Sequence, residues 1–268
     1  MKNNPIGIFD SGIGGLTVAY ALKQQLPNES IIYFGDTEHL PYGDKSDESI
    51  QEFSERIASF LIKKECKAIV IACNSASSVA YRNVKNIAKN IPVFNVIDPI
   101  VQYVAEKYKK GNVGVIGTKT TIKSQAYKKK ISLLGSQLNV LSLATPLLVP
   151  MIEEGFVSGK ISQTIICNYL SDKKLNHINH LILACTHYPL IQDEIEKFYH
   201  KSVNVINSSE LVVKYVKNTL HKESLLKETK ENDYLFYTSN YTVSLEKSAK
   251  FFFNEAIKLI ELNIHNDS

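Results

Sequence analysis

Two cysteines stand at matching places in this chain. Ile69-Val70-Ile71-Ala72 runs into Cys73-Asn74-Ser75, and Leu181-Ile182-Leu183-Ala184 runs into Cys185-Thr186-His187. Each is an aliphatic strand pattern, then Ala-Cys, then polar residues that can open a helix. A helix N-terminus favours thiolate, and a free thiol titrates near ~8.5, so a modest downward shift makes either cysteine a base. A lone strand cysteine is more often simply packed. Repetition of the whole context argues for chemistry: two thiols facing across one cleft would put a proton carrier on either face of a ligand. Cys66, which precedes a strand, and Cys167, in an aliphatic helical stretch, lack this context and read as structural.

Other polar residues gather at strand ends. Asp10 closes the run Ile6-Gly7-Ile8-Phe9 and leads into Ser11-Gly12-Ile13-Gly14-Gly15. These glycines would let backbone N–H groups approach a ligand, and the helix start that follows suits an anion. The segment is also a broken dinucleotide fingerprint, with Thr17 at the third glycine position and Asp36 as a ribose-binding acid. A carboxylate at Asp10 beside a pyrophosphate argues against that use. His187 lies two residues after Cys185 and can share its proton. Glu153, next to Glu154, is either a solvated helix-end charge or a partner for His187. Pro41-Tyr42-Gly43 reads as a turn whose backbone and hydroxyl touch a small polar ligand.

The elements that must position these residues alternate. Strands are expected at 6–9, 31–35, 68–72, 92–96, 113–117, 138–143, 180–184, 203–206 and 233–237. Helices are expected at 14–25, 47–63, 77–88, 98–108, 121–134, 160–170, 188–198, 208–221 and 243–261. This order implies α/β layers with parallel sheets, and the continuous apolar runs imply strands covered on both faces. Ile6 to Ser11 matches Val113 to Thr118 in pattern, and the intervals from each to its Ala-Cys are similar, 62 and 67 residues. Two matches in the same order point to duplication. We expect two similar parallel-sheet α/β domains related by a pseudo-two-fold axis, 1–97 plus 207–268 and 98–206, with the site in the cleft between them. Ligands of open α/β sheets bind beyond the carboxyl ends of the strands, where Asp10, Ser11, Cys73, Asn74, Thr118, Cys185 and Thr186 all fall.

Composition narrows the partners. A net charge of +4, with lysines scattered in short clusters, describes solvated helix faces and no nucleic-acid patch. No apolar run reaches the ~18 residues of a membrane span, and the N-terminus has no signal-peptide core. The four cysteines are therefore expected as thiols in the cytoplasm, and their spacing suits no zinc site.

Taken together, FDSGIGGL (9–16), LPYG (40–43), ACNSAS (72–77) and ACTHYPL (184–190) resemble the motifs of the cofactor-independent glutamate racemases, in the aspartate/glutamate racemase superfamily. The resemblance spans about residues 6–210. It departs at Ser75, where that family commonly has threonine, and the hydroxyl is kept. The resemblance implies interconversion of L- and D-glutamate without cofactor or metal, supplying D-glutamate for bacterial peptidoglycan. It implies that Cys73 and Cys185 are the two acid/base residues, with Asp10 assisting the first and Glu153 and His187 the second. Substrate contacts map onto Asp10, Ser11, Tyr42, Gly43, Asn74, Ser75, Thr118, Thr186 and His187. The substrate is a small molecule; a homodimer is left open.

Three alternatives compete. One is a racemase of another acidic amino acid, such as aspartate. Another is a cysteine hydrolase with Cys185 as nucleophile and His187 as base, which leaves Cys73 and the repeat unexplained. The third is a binding module with two closing lobes that performs no chemistry.

Overall fold

The computed structural model describes residues 2–229 and 232–264. The outermost ends of the expected domain ranges, Met1 and 265–268, lie outside them. The strands are β1 (Ile6–Asp10), β2 (Ile31–Gly35), β3 (Ala68–Ile71), β4 (Val93–Asn95), β5 (Lys110–Gly117), β6 (Gln137–Ala144), β7 (His180–Ala184), β8 (Asn204–Ile206), β9 (Tyr234–Thr238) and β10 (Leu259–Glu261). The helices are α1 (Leu16–Gln25), α2 (Asp47–Lys63), α3 (Asn74–Val79), α4 (Tyr81–Ala88), α5 (Asp98–Lys107), α6 (Lys119–Ser124), α7 (Ala126–Leu133), α8 (Leu148–Glu153), α9 (Lys160–Leu170), α10 (Gln192–Phe198), α11 (Ser208–Lys222) and α12 (Val243–Phe253).

All described strand pairs are parallel. One sheet has the order β10-β9-β2-β1-β3-β4 and the other β6-β5-β7-β8. The inner strands β1, β2, β3 and β7 are apolar and almost wholly buried, because helices cover both faces. Helix α2 shows the complementary pattern. Ser46 caps its first turn, and Ile50, Ile57, Ala58 and Leu61 form the buried stripe of a 3.6-residue repeat.

The duplication is visible in the order and the register. The run β2-β1-β3-β4 repeats as β6-β5-β7-β8. Ile71 lies opposite Phe9, and Leu183 lies opposite Ile116, so Cys73 and Cys185 each follow two residues beyond equivalent positions. The first half adds β9 and β10 at its free edge, after the chain returns through α11.

Several elements differ from the sequence expectation: the helices expected at 77–88 and 121–134 are each broken in two, at Ala80 and at the left-handed Gln125, and the one expected at 188–198 opens as a 3-10 turn before α10. The helix expected to 261 ends at Phe253, where Asn254 takes a left-handed conformation, and Leu259–Glu261 then forms β10 beside β9. The stretch after β6 holds a short helix, α8, with no counterpart in the expected set; six residues are too few to show a periodic pattern. No described helix is long and apolar enough to cross a membrane.

Candidate active site

The carboxyl ends of both sheets open on one cavity of ≈ 280 Å³. Its wall contains Cys73 and Cys185 together with Ser11, Tyr42, Gly43, Asn74, Ser75, Thr118, Glu153, Thr186 and His187. Every expected site residue is in that wall except Asp10, which lies behind Ser11. Each thiol is almost fully buried, at 6% and 5% exposure, so the two reach bulk water only through the cavity.

The surroundings of the two thiols differ. The Cys73 S–H points to Ser11 Oγ at 3.7 Å. Burial pushes this thiol up to about 12, and the nearby Asp10 charge adds to the effect. The thiolate expected from a helix N-terminus is therefore not the resting state at Cys73. Helix α3 is short, and loss of hydration plus a neighbouring carboxylate outweigh its dipole.

Cys185 Sγ lies 3.7 Å from His187 Nδ1, and His187 Nε2 lies 3.0 Å from Glu153 Oε1. Burial by itself would lower the proton affinity of His187. Its hydrogen bonds to Cys185 and Glu153, and their charges, overcome this and raise it to about 10. The line of contacts therefore runs from Cys185 through a ring whose protonated form is favoured to the Glu153 carboxylate. Glu153, the last residue of α8, meets the His187 ring and is not merely a solvated helix-end charge.

Asp10 is held through one carboxylate oxygen by its own glycine loop. Its Oδ2 accepts from the N–H groups of Gly12 and Gly15, at 3.1 and 3.0 Å, and Oδ1 has no partner. Burial raises its proton affinity, while the His187 charge and these N–H groups oppose the rise. The glycine loop thus spends two N–H groups on its own carboxylate, not on a ligand. Gly14 has a further reason: a Cβ there would overlap the His187 ring and stand 2.6 Å from Thr186 Oγ1.

Contacts between the halves close the cavity on two sides. Ser75 Oγ and Thr118 Oγ1 are 2.8 Å apart, and Thr118 donates to Thr121 Oγ1, so Ser75 is the donor in that pair. Thr120 Oγ1 donates to the Gly43 carbonyl at 3.0 Å, and Lys119 pairs with Asp44 at 3.1 Å. On the other side, Thr17 Oγ1 reaches the Thr186 carbonyl at 3.1 Å, and Phe252 of α12 meets the His187 ring edge-on.

The Tyr42 hydroxyl does not face the cavity as expected. It donates to Asp36 Oδ2 at 2.6 Å, and Ser239 donates to Asp36 Oδ1. Asp36 is thus a buried acceptor that anchors the loop at 41–44, which also removes it as a ribose contact. The internal repeat contains an equivalent that pattern reading missed. Thr145 follows β6 as Asp36 follows β2, and each N–H bonds the matching carbonyl, Gly117 or Asp10. Tyr188 OH pairs with Thr145 Oγ1 at 2.7 Å, as Tyr42 pairs with Asp36. Thr145, Pro146, Val149 and Pro150 line the cavity between the halves, and aligning Asp36 with Thr145 would have pointed to them. Of the other cysteines, Cys66 is buried and packed beside Gly7, whereas Cys167 is exposed on α9 and supports no core. Among the described residues, no cluster of His, Cys, Asp or Glu has the makings of a metal site.

The family model described as Asp/Glu/Hydantoin racemase matches residues 16–216. The chain is 37% identical to a glutamate racemase of Neisseria meningitidis serogroup C, covering 97% of both chains. It is 40% identical to a glutamate racemase of Aquifex aeolicus, covering 94% of this chain and 95% of that one. The crystal structure of glutamate racemase from Francisella tularensis in complex with D-glutamate superposes with a TM-score of 0.93 at 42% identity, covering 99% of each chain.

Proposed function

The chain belongs to the Asp/Glu/hydantoin racemase family, and we propose that it interconverts L- and D-glutamate by two-thiol proton transfer, without a cofactor. The observation that carries this is the pair of buried thiols at equivalent strand ends of two like sheets, walling one cavity. A racemase must handle both hands of its substrate almost equally. Two similar halves, each supplying one proton carrier, meet that need; their boundaries fall at 97/98 and 206/207.

In one direction, Cys185 as thiolate removes the α-proton while the Cys73 thiol delivers a proton to the opposite face. In the other direction the roles exchange. The bond broken is Cα–H and the bond formed is Cα–H on the far side, so no net proton is consumed. The His187 imidazolium, held by Glu153, offers a counter-charge to the Cys185 thiolate. The burial that raises Cys73 keeps its proton ready for donation.

The α-proton is a weak acid, and the carbanion has no pyridoxal sink to spread its charge. Preorganised donors at a substrate carboxylate supply part of the stabilisation, and the closed cavity strengthens them by excluding water. Ser11, Asn74 and Thr186 line the cavity for this use. The product role is supply of D-glutamate to peptidoglycan, in the cytoplasm.

The test is optical rotation or circular dichroism of L-glutamate with enzyme and no cofactor, in deuterated water. Decay to the racemate, with deuterium at Cα, is the expected result. Binding of glutamate without α-exchange would leave a binding module, an acyl-enzyme at Cys185 would indicate a hydrolase, and faster turnover of aspartate would reassign the substrate.

A further inference from the structure

Tyr127 has no place in the reaction as described. It lies on α7 in the second half and is 2% exposed. Its hydroxyl donates to Oδ1 of Asn74, in the first half, at 2.8 Å. Asn74 is itself 2% exposed, lines the cavity beside Cys73, and its Nδ2 is buried without a hydrogen-bond partner. A buried amide donor left unpaired is costly, and such a group at a cavity wall marks where an acceptor on the ligand is to sit.

We propose that Tyr127 is a positioning residue: by donating to Oδ1 it holds the Asn74 amide so that Nδ2 meets a carboxylate oxygen of the substrate. The assignment rests on the racemase reading. An asparagine amide is nearly symmetric in shape, and a half-turn would set its oxygen against the substrate carboxylate. A phenol is a better donor than acceptor, because its lone pair is delocalised into the ring, so Tyr127 selects the productive orientation. The neighbouring hydroxyls do less here: Ser75 donates to Thr118, and Thr118 donates to Thr121. Because the Tyr127–Asn74 bond crosses between the halves, the donor is set only when the two halves are together.

The test is a double-mutant cycle read by steady-state kinetics in both directions, with thermal melts as a folding control. Tyr127→Phe keeps the ring and removes the hydroxyl; it should lower kcat/KM for glutamate about fivefold to tenfold, the scale of one hydrogen bond. In an Asn74→Ala background the same change should cost less than about twofold, since Tyr127 then has nothing to orient. Asn74→Asp keeps an acceptor for Tyr127 and loses the donor, so it should fall at least as far as Asn74→Ala. Additive losses in the cycle, or Asn74→Asp at wild-type activity, would overturn the assignment. So would full activity in Tyr127→Phe beside an active wild type. A wild type that does not racemise glutamate would overturn the racemase reading instead.

Discussion

Cys185 Sγ and His187 Nδ1 lie 3.7 Å apart, and on the far side of that ring Glu153 holds Nε2 at 3.0 Å. Cys73 has the same sulfur-to-partner distance, but its partner is the neutral hydroxyl of Ser11, with the carboxylate of Asp10 nearby. The two thiols therefore lie beside opposite local charges within a nearly symmetric frame.

Each thiol should be indispensable. Cys73→Ala and Cys185→Ala should each lower racemisation by at least about a hundredfold to ten-thousandfold, the range expected when a positioned acid or base is removed. Circular dichroism from L- and from D-glutamate measures this. If both variants kept full activity and normal α-deuterium exchange, the two-thiol mechanism would be wrong.

The raised proton affinity of His187 predicts a pH dependence of stability. The folded value is raised to about 10, above an ordinary value near ~6.5, so the protonated ring stabilises the fold. That stabilisation is complete below about 6.5 and is lost as pH rises through about 10. Melting temperatures of wild type and His187→Gln, measured from pH 6 to 10, should converge with rising pH. Parallel curves would contradict the shift.

Glu153→Gln removes one of the two groups that hold the proton on His187. The alkaline limb of the kcat/KM profile should move to lower pH, and kcat should fall by about tenfold or more. An unmoved limb would show that Glu153 does not tune the histidine.

Gly14→Ala places a methyl where the imidazole of His187 lies. Overpacking of this kind costs about 1–3 kcal/mol in a packed site. Here the displaced ring is the one proposed to hold the Cys185 thiolate, so activity should fall further than the melting temperature suggests. Kinetics and melts of the same preparation compare the two losses.

The contacts across the cleft should rank by burial. Thr118→Val breaks the half-buried link to Ser75 and the cap of α6, and should weaken kcat/KM about fivefold. Lys119→Ala removes an exposed pair with Asp44 and should change it by less than about twofold.

Much of the fold was legible because its signals are local. The aliphatic runs at Ile6–Asp10, Ala68–Ile71 and His180–Ala184 are strands because both their faces are covered, and the alternation with helices forces parallel pairing. The repeat of Ala-Cys at Cys73 and Cys185 was readable for the same reason, since equivalent registers need equivalent sequences. What pattern reading missed is short or non-local. Helix α8, which carries Glu153 and the wall from Val149 to Pro150, is too brief for periodicity. β10 exists because β9 presents an open edge to Leu259–Glu261, which no local preference records.

The sequence by itself determined the residue types at the strand ends, and with them the two thiols, the histidine and the parallel architecture. Tertiary structure alone decided what surrounds them. Burial and the Asp10 carboxylate turned Cys73 into a held proton despite its helix. Gly12 and Gly15 were turned onto Asp10, Tyr42 was tied to Asp36, and Tyr127 was brought from the other half onto Asn74. Proton affinity and amide orientation depend on which groups exclude water and which dipoles lie within a few ångströms, and those neighbours come from distant parts of the chain.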